Sequence, residues 1–244
     1  MKVAVIIPAR YASTRLPGKP LIEVQGKPVI QWVYERAKSS KYAERVIVAT
    51  DDRRIFDSVN NFGGEAVMTS AEHQSGSDRI AEVVKNNPDI EIAVNVQGDE
   101  PLISSESIDK AVECLISDGG ADISTLIREI TDKDEIFNPN LVKAVTTNDG
   151  RALYFSRAGI PYERQEGITR FYAHIGLYVY RREALLRMTN LPQSELEKAE
   201  CLEQLRALQN GFIIRTAVVD YKPIGIDTPE DLEEFKQLVE QKIS

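Results

Sequence analysis

Continuous apolar runs, helical periodicities between them and the absence of any flexible linker predict an α/β fold on a doubly wound, mostly parallel sheet. Residues 3–7 are apolar without interruption, as in a strand covered on both faces. Val29, Trp32, Val33, Arg36 and Ala37 then recur at i, i+3, i+4, i+7 and i+8, a helical stripe. At 244 residues the chain can bury one sizeable domain with a smaller extension.

The alternation continues in order. Residues 46–49 read as a strand, 53–62 as a helix ending at Gly63-Gly64, and 66–68 as a short strand. Ile80, Val83 and Val84 mark the next helix, with Ser77 as its expected N-cap. A strand follows at 92–96, then a helix carrying Ile108, Val112, Leu115 and Ile116. Strands alternating with such helices imply parallel βαβ units. Beyond residue 122 the rhythm changes. Strands are expected at 123–127, 141–147, 152–156, 173–180 and 212–219, one helical stretch at 194–209, and a loop at 161–170. Thr228 followed by Pro229 starts a last helix, whose buried stripe is Leu232, Phe235, Leu238 and Val239.

Bulk composition removes several function classes. A net charge of −8 argues against general nucleic-acid affinity, which needs a basic face. No apolar run approaches the eighteen residues of a membrane span, and the opening run stops at Pro8 like a strand, not a signal peptide. Cys114 and Cys201 make no metal-ligand spacing and read as reduced, cytosolic thiols. Within this acidic chain, residues 1–22 hold four cations and no acid, a place to focus a small polyanion.

Four segments carry chemistry. The loop 8–20 follows the carboxyl end of the first strand, where open α/β sheets bind ligands. Arg10, Arg15 and Lys19, with hydroxyls and Gly18 between them, suit a triphosphate. Pro20 after Lys19 and the missing upstream glycine exclude a Walker A loop, and no GxGxxG is present. Second, Asp99 and Glu100 end an apolar strand, a place for Mg²⁺ beside phosphates or for an ordinary turn. Third, Asp227 precedes the last helix, either as a second metal ligand or as an acid at a helix amino end. Fourth, residues 73–79 place Ser77 and Arg79 at a helix start suited to nucleotide contacts. Arg157, His174, Tyr178, Glu200 and Gln204 form a scattered polar set in the second half.

These segments together resemble the 3-deoxy-manno-octulosonate cytidylyltransferases of the sugar nucleotidyltransferase superfamily. The motifs are IPARYASTRLPGKPL (7–21), HQSGSDR (73–79), NVQGDEP (95–101), FSRAGIP (155–161), HIGLYVYR (174–181), EKAECLEQLR (197–206) and GIDTPEDL (225–232). Ser77 stands where the family more often has threonine, and keeps the hydroxyl. The resemblance implies a nucleotide-diphospho-sugar transferase fold, a cytoplasmic homodimer, and transfer of CMP from CTP to 3-deoxy-D-manno-octulosonate (Kdo) for lipopolysaccharide. It implies one domain, with 1–121 mainly nucleotide-binding, 122–227 mainly sugar-binding and dimer-forming, and 228–244 a C-terminal helix. By the same resemblance Arg10, Arg15 and Lys19 hold the triphosphate, while Pro8, Ala9, Ser77 and Arg79 help hold the nucleotide. Gln97, Arg157, His174, Tyr178, Glu200 and Gln204 surround Kdo, and Asp99 and Asp227 hold Mg²⁺; Lys19, Asp99 and Asp227 are the expected catalytic residues. A CMP-sialate synthetase is the nearest rival, disfavoured by VQGDEP and EQLR. A silent nucleotide-binding regulator is disfavoured by the presence of Lys19, Asp99 and Asp227 together.

Overall fold

The computed structural model describes residues 1–12, 16–165 and 167–243, the side chains of 242 and 243 excepted. Arg15 therefore lies outside the described residues. The expected α/β architecture is present, divided into two compact units, Met1–Asp109 with Pro223–Ser244, and Lys110–Lys222.

In the first unit, β1 (Val3–Ala9) leads through a 3-10 turn (Lys19–Leu21) and the short strands β2 (Glu23–Val24) and β3 (Lys27–Pro28) to α1 (Val29–Lys38). Then come β4 (Arg45–Thr50), α2 (Arg53–Asn61), β5 (Glu65–Met68), α3 (Gly76–Asn86), β6 (Ile92–Asn95) and α4 (Ser105–Ile116), in which the unit boundary falls. The order β6-β1-β4-β5 is parallel throughout, with Val5 flanked by Val46 and Val94. Helices cover the sheet, so Val5, Ile6, Ile7, Ile47, Val48, Ala93 and Val94 lose all contact with water. That is why these strands read as unbroken apolar runs.

Two local expectations are corrected. Arg36 belongs to the exposed side of α1, and the buried stripe is Val29, Ile30, Val33, Tyr34 and Ala37. The N-cap of α3 is Ser75, not Ser77. Ser75 Oγ accepts from the Asp78 N–H (3.1 Å) and Asp78 Oδ2 accepts from the Ser75 N–H (3.1 Å), a reciprocal capping box. Ser77 sits inside the first turn, buried.

In the second unit β7 (Ile123–Glu129), α5 (Lys133–Phe137), β8 (Lys143–Thr146), β9 (Ala152–Ser156) and β10 (Tyr172–Arg181) are followed by α6 (Arg182–Thr189), α7 (Glu195–Glu200), α8 (Gln204–Gln209) and β11 (Ile214–Val218). Here β11 runs parallel to β7, while β7-β10, β10-β8 and β8-β9 are antiparallel. The single helix expected at 194–209 is two helices. Cys201 adopts a left-handed conformation (φ 52°) and breaks them apart. The helices α5 and α6 were not foreseen by periodicity. The chain ends in α9 (Pro229–Ile243), which belongs to the first unit. Among the described residues no helix is long and apolar enough to cross a membrane.

Candidate functional site

A cavity of about 410 Å³ opens at the carboxyl ends of β1 and β6. Its wall comprises Pro8 and Ala9 of β1, Arg10 and Ala12 of the following loop, Lys19 and Pro20 of the 3-10 turn, Gln74 and Gly76 at the start of α3, and Gln97–Asp99 after β6. The approach of the two strand ends demands glycine at one point. A Cβ on Gly98 would stand 2.8 Å from the Pro8 carbonyl oxygen. Gly18 is left-handed (φ 73°), and its N–H donates to the Tyr11 carbonyl (2.9 Å). That donor closes the loop.

Lys19 is the centre of the site's charge. Its Nζ donates to Asp99 Oδ2 (2.8 Å) and Asp227 Oδ1 (3.1 Å), and the residue is only 9% exposed. Asp99 is placed by the end of β6. Asp227 arrives from far along the chain, and the packing under it explains how. Ile226, Leu232, Phe235 and Val239 bury themselves with Val24 and Val29, and Leu16, Ile22, Trp32 and Leu102 pack on that cluster. Trp32 meets Phe235 edge to face at 5.8 Å, and the Ile226 N–H donates to the Asp99 carbonyl (2.8 Å). Burying each such side chain contributes roughly 1.5–3 kcal/mol. The capping work at α9 is done by others: Thr228 Oγ1 accepts from the Asp231 N–H (3.2 Å), and Asp231 Oδ2 accepts from the Thr228 N–H (2.8 Å). The Asp227 carboxylate thus faces Lys19 while its neighbours cap the helix.

Two carboxylates converging on one cation fit a divalent ion that completes its shell with phosphate oxygens and water. Mg²⁺ is commonly held by one or two carboxylates plus substrate phosphates. Among the described residues no group of three or more His, Cys, Asp or Glu forms an all-protein cage. Beside Asp99, burial and the Asp99 charge push the Glu100 carboxyl up to about 8, so at neutral pH the strand end presents chiefly one anion.

The remaining nucleotide set divides. Arg10 lines the cavity and donates to the His73 carbonyl, a bond that ties the loop to the approach to α3. Gln97 lines it too, its amide held by Asn95 (3.1 Å). Ser77 and Arg79 do not line it. Arg79 is fully buried, donating to Thr69 Oγ1 and lying 3.0 Å from Asp51, and burial holds its pKa below the usual arginine value. It braces the ends of β4 and β5 behind the cavity.

The second-half polar set lies in the second unit, as two clusters with Gln204 apart from them. In one, Glu200 accepts from Ser156 Oγ (2.6 Å) and from the Arg157 N–H (2.9 Å), and Arg157 Nε donates to the Glu200 carbonyl (2.8 Å). In the other, the rings of His174 and Tyr178 stand 5.3 Å apart, with Phe155 edge-on to His174 at 5.0 Å. A bulge in β10 sets that pair. Ile175 faces Leu126, yet Tyr178 faces Thr125, the next residue on β7. Thr125 Oγ1 lies 3.1 and 2.7 Å from the carbonyls of Ile175 and Leu177 and 2.9 Å from His174 Nε2. Its one proton goes to a carbonyl, so His174 Nε2–H must donate to the hydroxyl and Nδ1 is left as an acceptor. Burial lowers the His174 pKa to about 3 and raises that of Tyr178 well above the usual value. A Cβ on Gly176, between the two rings in sequence, would meet nothing within 4 Å. Gln204 is buried at the start of α8 with Nε2 lacking a hydrogen-bond partner.

Ala12, Pro20, Gln74, Gly76 and Gly98 line the first cavity without having been singled out. All but Gln74 are small or apolar residues that contribute shape or backbone, and the signal for each was its place inside a quoted motif.

The cytidylyltransferase family's sequence profile matches residues 4–243. A 3-deoxy-manno-octulosonate cytidylyltransferase of Thermodesulfovibrio yellowstonii is 50% identical over 241 residues, spanning 93% of this chain and 94% of the relative. One from Aliivibrio fischeri is 51% identical over 250 residues, spanning 98% and 99%. A solved structure of CMP:2-keto-3-deoxy-manno-octonic acid synthetase complexed with CTP is similar with a TM-score of 0.95 at 43% identity, covering 99% of this chain and all of that one.

Proposed function

The chain belongs to the cytidylyltransferase family, among its 3-deoxy-manno-octulosonate cytidylyltransferases, and from that premise we propose how its residues divide the work. The reaction transfers CMP from CTP to the anomeric hydroxyl of Kdo, giving CMP-Kdo and pyrophosphate for lipopolysaccharide synthesis. The observation that carries the assignment of roles is the convergence of Lys19, Asp99 and Asp227 at the nucleotide-sized cavity.

CTP occupies that cavity. Arg10, Arg15 and Lys19 neutralise its triphosphate, while the backbone of Pro8 and Ala9 and the start of α3 hold the nucleoside. Ser77 and Arg79 keep that helix start and the β4 and β5 ends in place. Asp99 and Asp227 are the residues that would hold Mg²⁺. The chemistry supplied by the ion when bound is neutralisation of phosphate charge and a lowered pKa for the attacking hydroxyl. Lys19, a nearly buried cation at the cavity wall, supplies a positive charge for the phosphates inside a partly dry site.

Kdo is recognised in the second unit by Arg157, His174, Tyr178, Glu200 and Gln204, while Gln97 belongs to the cavity of the first unit. The Arg157 guanidinium meets the sugar's carboxylate, and His174 Nδ1 accepts from a sugar hydroxyl. Glu200 orients Arg157, and the unpartnered Gln204 amide donates to the sugar. The anomeric oxygen bonds to the α-phosphorus as the bond from that phosphorus to the bridging oxygen of pyrophosphate breaks. The hydroxyl proton passes to solvent. No protein nucleophile is required, and catalysis comes from alignment and charge neutralisation.

The protein acts in the cytoplasm as a homodimer. Two free cysteines suit a reducing compartment. Exposed Phe137, Leu153, Tyr162, Ile168 and Val218, all in the second unit, suit a self-association face, which light scattering of a Tyr162→Asp variant would test.

Pyrophosphate release from CTP and Mg²⁺, with Kdo, N-acetylneuraminate or no sugar acid, tests the whole reading. Release with Kdo alone is expected. Release only with N-acetylneuraminate would overturn the sugar assignment, and silence with both would favour a nucleotide-binding regulator.

A further inference from the structure

Lys143 is fully buried in β8, and among the described residues no carboxylate forms a salt bridge with it. Its Nζ donates instead to three backbone carbonyls, those of Asn138 (2.8 Å), Leu141 (2.6 Å) and Arg157 (2.6 Å). An ammonium has three N–H groups, so every donor is spent on main chain. Burial pulls its pKa below the usual lysine value, partly countered by the charge of Glu200. A buried, unpaired charge is costly, and a methionine would fill the same volume without that cost. Packing alone therefore does not account for a lysine here.

What the three bonds hold is Arg157 and its support. The Arg157 carbonyl is fixed by Lys143, and its N–H by Glu200 Oε2. Its Nη1 donates to the Pro139 carbonyl (3.1 Å), inside the 138–141 loop whose two ends Lys143 also grips. Arg157 Nη2 takes part in none of these bonds. In the sheet, Lys143 stands opposite Ser156 on β9 and Ala173 on β10, and the His174 N–H donates to the Val142 carbonyl (2.8 Å). One residue thus sits at the junction of both polar clusters. Around it two cations, Lys143 and Arg157, face one carboxylate, Glu200, which leaves a positive excess.

We propose that Lys143 is a positioning residue for sugar-acid recognition, its ammonium clamping the 138–141 loop and the Arg157 main chain so that Arg157 Nη2 meets a carboxylate in a positive field. This rests on the reading of Arg157 as the contact to the Kdo carboxylate. The clamp is built from main chain, so it holds its shape whether or not the sugar is bound.

The test is steady-state kinetics of the full chain, varying Kdo and CTP separately, for Lys143→Met, Lys143→Gln and Arg157→Ala, with thermal unfolding alongside. Lys143→Met is expected to raise KM for Kdo about tenfold or more, as for a displaced charge-assisted contact, with KM for CTP within about twofold. Lys143→Gln keeps two donors without the charge, and an intermediate KM for Kdo is expected. If Arg157→Ala raises KM for Kdo while Lys143→Met and Lys143→Gln leave it unchanged, the positioning role is overturned and the sugar site stands. An unchanged KM for Kdo in Arg157→Ala as well overturns the reading of the sugar site itself. Loss of folded protein, or equal loss of affinity for CTP and Kdo, in both lysine variants would make Lys143 a general folding residue and likewise overturn the proposal.

Discussion

Each unit buries a lysine, and the two are held in opposite ways. Lys19 lies between two side-chain carboxylates, whereas Lys143 is held by three main-chain carbonyls. A carboxylate can rotate away and take another cation, so Lys19 can be re-partnered when a polyphosphate and a metal arrive. Carbonyls cannot leave without moving the loop that carries them. In the roles proposed above, the cation that follows reacting phosphates is held by side chains, and the one that shapes a recognition surface is held by backbone.

The comparison breaks or sharpens with variants in each unit. Phe235→Ala should lose about 3–5 kcal/mol by opening a core cavity, and should weaken CTP turnover because the segment bearing Asp227 loses its anchor. Phe155→Ala, equally buried in the second unit, should destabilise comparably yet leave CTP affinity intact. Denaturant unfolding with CTP titration checks both, and lost CTP affinity in Phe155→Ala would undo the separation. Next in size, Lys19→Ala should lower kcat by roughly 10²-fold or more while the protein stays folded. Near-normal pyrophosphate release would remove Lys19 from the chemistry.

Asp227→Asn should abolish most turnover and shift stability by no more than about 0.5 kcal/mol. Thr228→Ala should do the converse, costing about 1 kcal/mol through its cap with turnover largely kept. Equal stability losses in the two would return Asp227 to the role of a capping residue. A further prediction concerns pH. His174 titrates near 3 when folded against about 6.5 when unfolded, so the unfolded chain binds the extra proton. The stabilisation is whole above pH 6.5 and drains away as pH falls toward 3. His174→Gln should therefore show a shallower decline in unfolding midpoint between pH 7 and pH 5 than the parent chain. Identical slopes would mean that the ring is not held neutral.

The first unit was legible in sequence because its parallel strands are buried on both faces and leave unbroken apolar runs. The second was less so. Its helix break falls on Cys201, a residue type that rarely takes a left-handed conformation, and α5 is only five residues long. Ser75 outcompeted Ser77 as a cap because Asp78 lies three residues after it and completes a reciprocal capping box. Lys19, Asp99 and Asp227 were each readable from local motifs. Their meeting depends on Phe235 and Ile226 packing beneath α1, which no local pattern contains. A single lysine in a half-apolar strand reads as its solvent side, yet Lys143 is fully buried. Its burial is decided by the 138–141 loop folding over it.

The hydrogen bond from Ile226 to Asp99, and the ion pair it supports, also set a clock. Lys19 and Asp227 are separated by 208 positions. At a translation rate of roughly 5–20 residues per second, about 10–40 s pass between the synthesis of the first and that of the second. Asp99 is made 80 positions after Lys19, and from then until Asp227 follows, the loop and the strand end are present without the acid that completes them. If the loop and Asp227 have the roles proposed above, the nascent chain has the parts to attract nucleotide before it has the parts to consume it.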